Sequence, residues 1–177
     1  MEIKDYCIGL TITCDNKMDQ GYNYTLTAPY GGARIPGYFE PHFTPQEMLA
    51  HGVFEGKYIN DCQGEFPKEW YVSARLSGIP DEGVNYFKVK SRQGLSTWRE
   101  KGWLYGPDNR GWFQWYCRYY CGRREPAIDD IQIKRWRAFK RHHSQVVRNC
   151  PAIDGANGVW CRPKQRQALL QWSYPCF

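Results

Sequence analysis

The chain has 177 residues, of which 42% are hydrophobic and 16% aromatic: enough for the core of one domain, and too rich in rings for a disordered segment. No run approaches the roughly 18 to 20 apolar residues of a membrane span. The formal net charge of +6 is unevenly placed: residues 1–100 hold ten Lys/Arg against thirteen Asp/Glu, and residues 101–177 hold fourteen against five. A positive field confined to the C-terminal part makes nucleic acid the leading partner class, with DNA ahead of RNA, and no membrane partner is expected.

The N-terminus, MEIKDYCIGLTITC, lacks the pattern of a secretory signal, so the expected location is cytoplasmic. In that reducing setting the eight cysteines are expected to be free, buried thiols. The runs CIGLTITC and GYNYTLTAPY flank the turn formers DNKMDQG and predict a β-hairpin. The segment GGARIPG then interrupts regular structure. HFTPQEMLAHG predicts a short helix in which Thr44 caps, Pro45 takes the first position, Glu47 completes a capping box and Gly52 ends the run.

From Val53 to Tyr71 the glycines and Pro67 predict turns and short helices, continuing as far as Leu76, and Ser96 to Gly102 predicts one or two helical turns. Trp112 to Cys121 predicts a helix ended by Gly122, with a long helix from Asp129 to about Val147 after Pro126. NCPAIDGANG reads as a loop, and Pro163 to about Tyr174 as a last helix. The expected class is α+β: a single domain over 1–177, with a small N-terminal β-hairpin extension (1–40) and a mainly helical core (41–177).

On the long helix, 100° per residue puts Gln132, Trp136, Phe139, His143, Val146 and Val147 on one side and Lys134, Arg137, Arg141 and Arg148 on the other. Ordinary solvated faces mix signs, so four cations without an acid point to phosphate contact. Arg123, Arg124, Lys164 and Arg166 are expected to add to that surface. His143 falls on the apolar side and His142 toward the flank, and neither is the expected catalytic residue.

In WFQWYCRYYC the rings and thiols point all round the helix, and only Gln114 and Arg118 form a polar stripe. A guanidinium held among rings needs an anion. Asp61, Glu65 and Asp108 are the candidate partners; in a second reading they are acid or base groups around an Arg118-centred anion pocket. Asp108 also reads as the N-cap of a turn leading into the helix. The cysteine spacings fit no usual zinc pattern, and no phosphate-binding loop, dinucleotide fingerprint or nucleophile elbow is present, so neither a metal nor a cofactor is expected.

The blocks GVFEGKYINDC, EFPKEW, LSTWREKGW, PDNRGWFQWYCRYYCGRR, QIKRW and CRPKQRQALLQW resemble those of a family of intracellular proteins found in microbes, fungi and viruses. The resemblance covers roughly residues 43 to 174. It implies no particular activity, cofactor or catalytic residue. Two functions are expected from the residues themselves, a nucleic-acid-binding protein acting on DNA through the basic helical face, or an enzyme that modifies a nucleic-acid base or transfers a group onto it around Arg118; a third reading is an aromatic-rich helical domain whose basic face binds an acidic protein.

Overall fold

The computed structural model describes residues 1–150 and 158–177, so most of the expected NCPAIDGANG loop lies outside the described residues. Strand β1 (Thr11–Thr13) pairs antiparallel with β2 (Asn23–Thr25), Ile12 lying opposite Tyr24. Helices α1 (Pro45–His51), α2 (Glu69–Val72), α3 (Leu95–Glu100), α4 (Trp112–Cys121), α5 (Pro126–Asn149) and α6 (Pro163–Gln171) follow in order. The class is α+β, a small hairpin followed by a mostly helical remainder. None of the described helices is long and apolar enough to cross a membrane.

Several boundaries follow from local chemistry. Thr44 Oγ1 accepts from the Glu47 N–H at 3.2 Å while Glu47 Oε2 accepts from the Thr44 N–H at 2.8 Å, closing the expected capping box on α1. At the end of α4, Gly122 has φ +116° and its N–H reaches the carbonyls of Arg118 and Tyr119. Its carbonyl in turn accepts from Thr27 and Ala28, each at 3.0 Å, which ties the hairpin to α4. A Cβ on Gly122 would sit 2.2 Å from the Ala28 carbonyl oxygen, so only glycine fits this junction.

Two helices differ in extent from the sequence reading. Helix α5 begins at Pro126 rather than Asp129, because a first-turn proline has no N–H to satisfy and Asp129 Oδ2 accepts from the Glu125 N–H at 2.8 Å. Helix α6 stops at Gln171 rather than near Tyr174. There Ser173 turns to φ +54° and its hydroxyl bonds the Phe43 backbone.

The core is built from rings. Phe39, fully buried, is surrounded by Trp115, Tyr116, Tyr119 and Trp136 at centroid distances of 5.0 to 6.2 Å. Ile12, Cys14, Tyr24 and Leu26 of the hairpin region are buried in the same core. The first forty residues therefore form part of the main body's packing. Cys7, Cys14, Cys62, Cys117, Cys121 and Cys176 are free thiols, all but Cys7 buried, whereas Cys150 and Cys161 are joined by a disulfide across 5.8 Å between Cα atoms. That pair departs from the expectation of free thiols throughout: the end of α5 and the approach to α6 come within bridging distance, a proximity that chain spacing does not encode.

Candidate nucleic-acid interface

The helix α4 places Arg118 at the centre of the molecule, 0% exposed. Its Nε donates to Glu65 Oε1 at 2.6 Å, Nη1 to Asp108 Oδ1 at 3.0 Å and Nη2 to Asp19 Oδ2 at 3.0 Å. Nη1 also reaches the Pro107 carbonyl, and Nη2 the second Glu65 oxygen at 3.3 Å. The rings of Tyr22 and Tyr24 lie 5.1 and 5.7 Å from the guanidinium carbon. Burial opposes the charge, but the hydrogen bond and charge of Glu65, with Asp108, more than offset it and hold the guanidinium protonated above its ordinary range.

Arg118 is thus paired within the protein, and the expected anion pocket around it is corrected. With every donor nitrogen taken and no exposed surface, it has no position for a ligand anion. Asp19 is a third partner that sequence reasoning missed. The Asp108 side chain does not cap the turn before α4: the Gly111 N–H bonds its backbone carbonyl, and its carboxylate spans Arg118 and Arg123, the latter at 2.6 Å. Asp61 lies apart from this cluster and pairs with Arg110 at 2.9 Å. Burial raises the Asp61 carboxyl, but the hydrogen bond and charge of Arg110 outweigh it and hold the group below its ordinary value. Glu65 and Asp108, each 0% exposed, are structural counter-ions.

The expected phosphate-binding set divides. Arg123 is 1% exposed and committed to Asp108, so it does not belong to a surface. Arg166, 3% exposed, donates to the carbonyls of Cys161, Cys176 and Gly158 and holds the C-terminal segment. Arg124 lies 3.7 Å from the Tyr119 ring and donates to the carbonyls of Tyr119, Arg123 and Gly32. Arg124 lies just past the C-terminus of α4, where unpaired carbonyls attract cations. Lys134, Arg137, Arg141, Arg148 and Lys164 are exposed, and Lys140, which the sequence reading passed over, joins them.

Helix α5 is the crest between two depressions. One, of about 610 Å³, has Lys134, Arg137, Lys140 and His143 along it together with Tyr38, Tyr174 and a single carboxylate, Glu40. Arg137 stacks on Tyr38 with its guanidinium carbon 4.5 Å from the ring centre. The other, of about 640 Å³, lies between α3, α4, α5 and α6 and is walled by Trp98, Trp103, Trp112, Phe139 and Trp172. Lys90, Arg92, Arg135, Arg141 and Lys164 supply its charge, and no carboxylate among the described residues lines it. Burial, reinforced for His142 by Arg141 and for His143 by Lys140, lowers both histidines from the ordinary value and favours their neutral form.

Among the described residues no group of three or more His, Cys, Asp or Glu is placed to hold a metal ion. The chain matches no protein-family model, no curated protein and no solved structure.

Proposed function

We propose that this protein binds nucleic acid, DNA in preference to RNA, through the outer face of α5. The observation that carries the reading is the exposed one-sign row Lys134, Arg137, Lys140, Arg141 and Arg148, none of which forms a salt bridge among the described residues. Five unpaired cations on one helix repel one another, a cost offset when phosphates replace their counter-ions. From Lys134 to Arg148 the row extends about 21 Å at 1.5 Å per residue, long enough to follow several phosphates of one strand.

The preference for DNA rests on groove shape. The major groove of B-form DNA admits an α-helix, whereas that of A-form RNA is too narrow and deep for side chains to enter. A helix with five exposed cations along it suits the first. Fluorescence anisotropy with labelled duplex DNA tests the reading. Binding should weaken steeply with salt, and Lys134→Glu, Arg137→Glu and Arg148→Glu together should remove most of it. Retention of the full affinity by that triple variant would count against the α5 face.

A further inference from the structure

The aromatic cleft on the other flank of α5 is chemically distinct from the phosphate-facing row. Phe139 and Trp172 stack at 4.8 Å with an interplanar angle of 9°, Trp172 and Trp112 at 4.9 Å and 25°, and Trp112 and Tyr116 at 5.1 Å and 19°. Rings from α5, the end of α6 and α4 thus form one ladder running from the cleft into the core. Arg135 is fixed beside it, with its guanidinium carbon 5.5 Å from the Trp172 ring and Nη1 donating to the Trp103 carbonyl and to Gln132 Oε1. Trp98 is held by the glycine before α4, since a Cβ on Gly111 would lie 2.9 Å from the Trp98 ring.

Not all the charge in the cleft is internally compensated. Arg92 pairs with Glu55 at 2.8 Å, but Lys90, Arg135, Arg141 and Lys164 have no carboxylate within salt-bridge distance among the described residues. Several polar wall groups are also uncommitted. Among the described residues the buried indole N–H of Trp112 and Nε of Arg92 have no hydrogen-bond partner, and the side chains of Gln93 and His142 make no hydrogen bond. Apolar ligands would leave the cations facing a closed-off surface, and a simple anion would leave the rings unused. A planar heterocycle joined to a phosphate uses both: the accessible rings of Trp98 and Trp103 stack on its faces, Gln93 and His142 meet its edge, and the cations take the phosphate.

We propose that this cleft is a binding site for one nucleotide unit, a base with its phosphate, either as a free mononucleotide or as an unstacked residue of a strand. The site rests on the nucleic-acid reading and names what lies beyond the phosphate row; it shares only Arg141 with that row, and its other residues can be tested separately. The cost of unstacking a base is lowest in single strands, so a strand would enter most readily at an unpaired residue.

Tryptophan fluorescence of the full chain, titrated with TMP, AMP, inorganic phosphate and the matching nucleosides, tests it. The nucleotides should bind saturably and at least about tenfold more tightly than either phosphate or nucleoside alone, because both halves of the site are engaged. Lys90→Glu with Lys164→Glu, both exposed, should weaken TMP about tenfold, as should Trp103→Ala at the cleft's edge. Lys134→Glu with Arg137→Glu should leave TMP within about threefold of the unaltered protein while weakening duplex DNA. Displacement of TMP by an oligothymidylate would place the unit in a strand, and failure to displace would make it a free nucleotide; either supports the site. Phosphate binding as tightly as TMP, or TMP binding unmoved in folded cleft variants, overturns it, and duplex binding that survives such a result leaves the α5 reading intact.

Discussion

Replacing Arg118 with methionine removes one guanidinium from three buried carboxylates, and the cost can be apportioned from what each retains. Asp108 keeps Arg123 at 2.6 Å, and Asp19 keeps Asn109 at 2.7 Å and the Gln114 amide. Glu65 keeps only neutral donors, Tyr24 at 3.2 Å and Asn16 at 3.3 Å, so it becomes an uncompensated buried anion. Removing one member of a buried pair costs about 3 to 5 kcal/mol, against a typical domain stability of about 5 to 15 kcal/mol. Urea unfolding followed by tryptophan fluorescence should show that loss for Arg118→Met. Adding Glu65→Gln should recover roughly 1 to 3 kcal/mol of it, the coupling expected of contacting residues. Arg118→Met losing less than about 1 kcal/mol while nucleic-acid affinity collapses would refute the structural assignment and return Arg118 to a ligand site.

Three further outcomes follow from the packing. Gly122→Ala places a Cβ 2.2 Å from the Ala28 carbonyl at φ +116° and should destabilise the protein by about 1 to 3 kcal/mol in the same urea assay. Cys150 and Cys161 close a loop with a sequence separation of 11, worth about 3 kcal/mol by loop entropy; non-reducing mass spectrometry should find this single bridge, and Cys150→Ser should lower the unfolding midpoint. Burial holds the Tyr22 and Tyr174 hydroxyls up at about 12 and those of Tyr6, Tyr24, Tyr58, Tyr71 and Tyr116 higher still. Since these folded-state values are raised above the unfolded value near 10, the stability they contribute is complete below pH 10 and lost as pH rises beyond it. Absorbance near 295 nm should show these phenols ionising together with alkaline unfolding, and gradual ionisation of all thirteen tyrosines near pH 10 would contradict their burial.

Much of the scaffold was legible because it is written locally. Thr44, Glu47 and Gly52 mark both ends of α1, Gly122 ends α4, and the turn formers between residues 14 and 21 separate two β-prone runs. Burial of Arg118 was legible too, since rings surround it at every helical position, and two of its three partners could be named. Asp19 could not, because it reaches Arg118 from the hairpin turn through chain reversal. Arg123 and Arg166 misled for a related reason: a sequence shows that a cation is present but not whether a carboxylate or three carbonyls close over it. The cleft was least legible of all. Its walls come from four helices and the segment around residue 90, and Phe139, read as core, stands at its edge.

Phosphate binding along α5 is read out by the salt dependence of duplex DNA affinity. If Lys134, Arg137, Lys140, Arg141 and Arg148 each neutralise one phosphate, log K should fall against log salt with a slope of about −4.5, and Lys134→Glu with Arg137→Glu should reduce its magnitude by about two. A slope near zero, or one that the double variant leaves unchanged, would contradict the account.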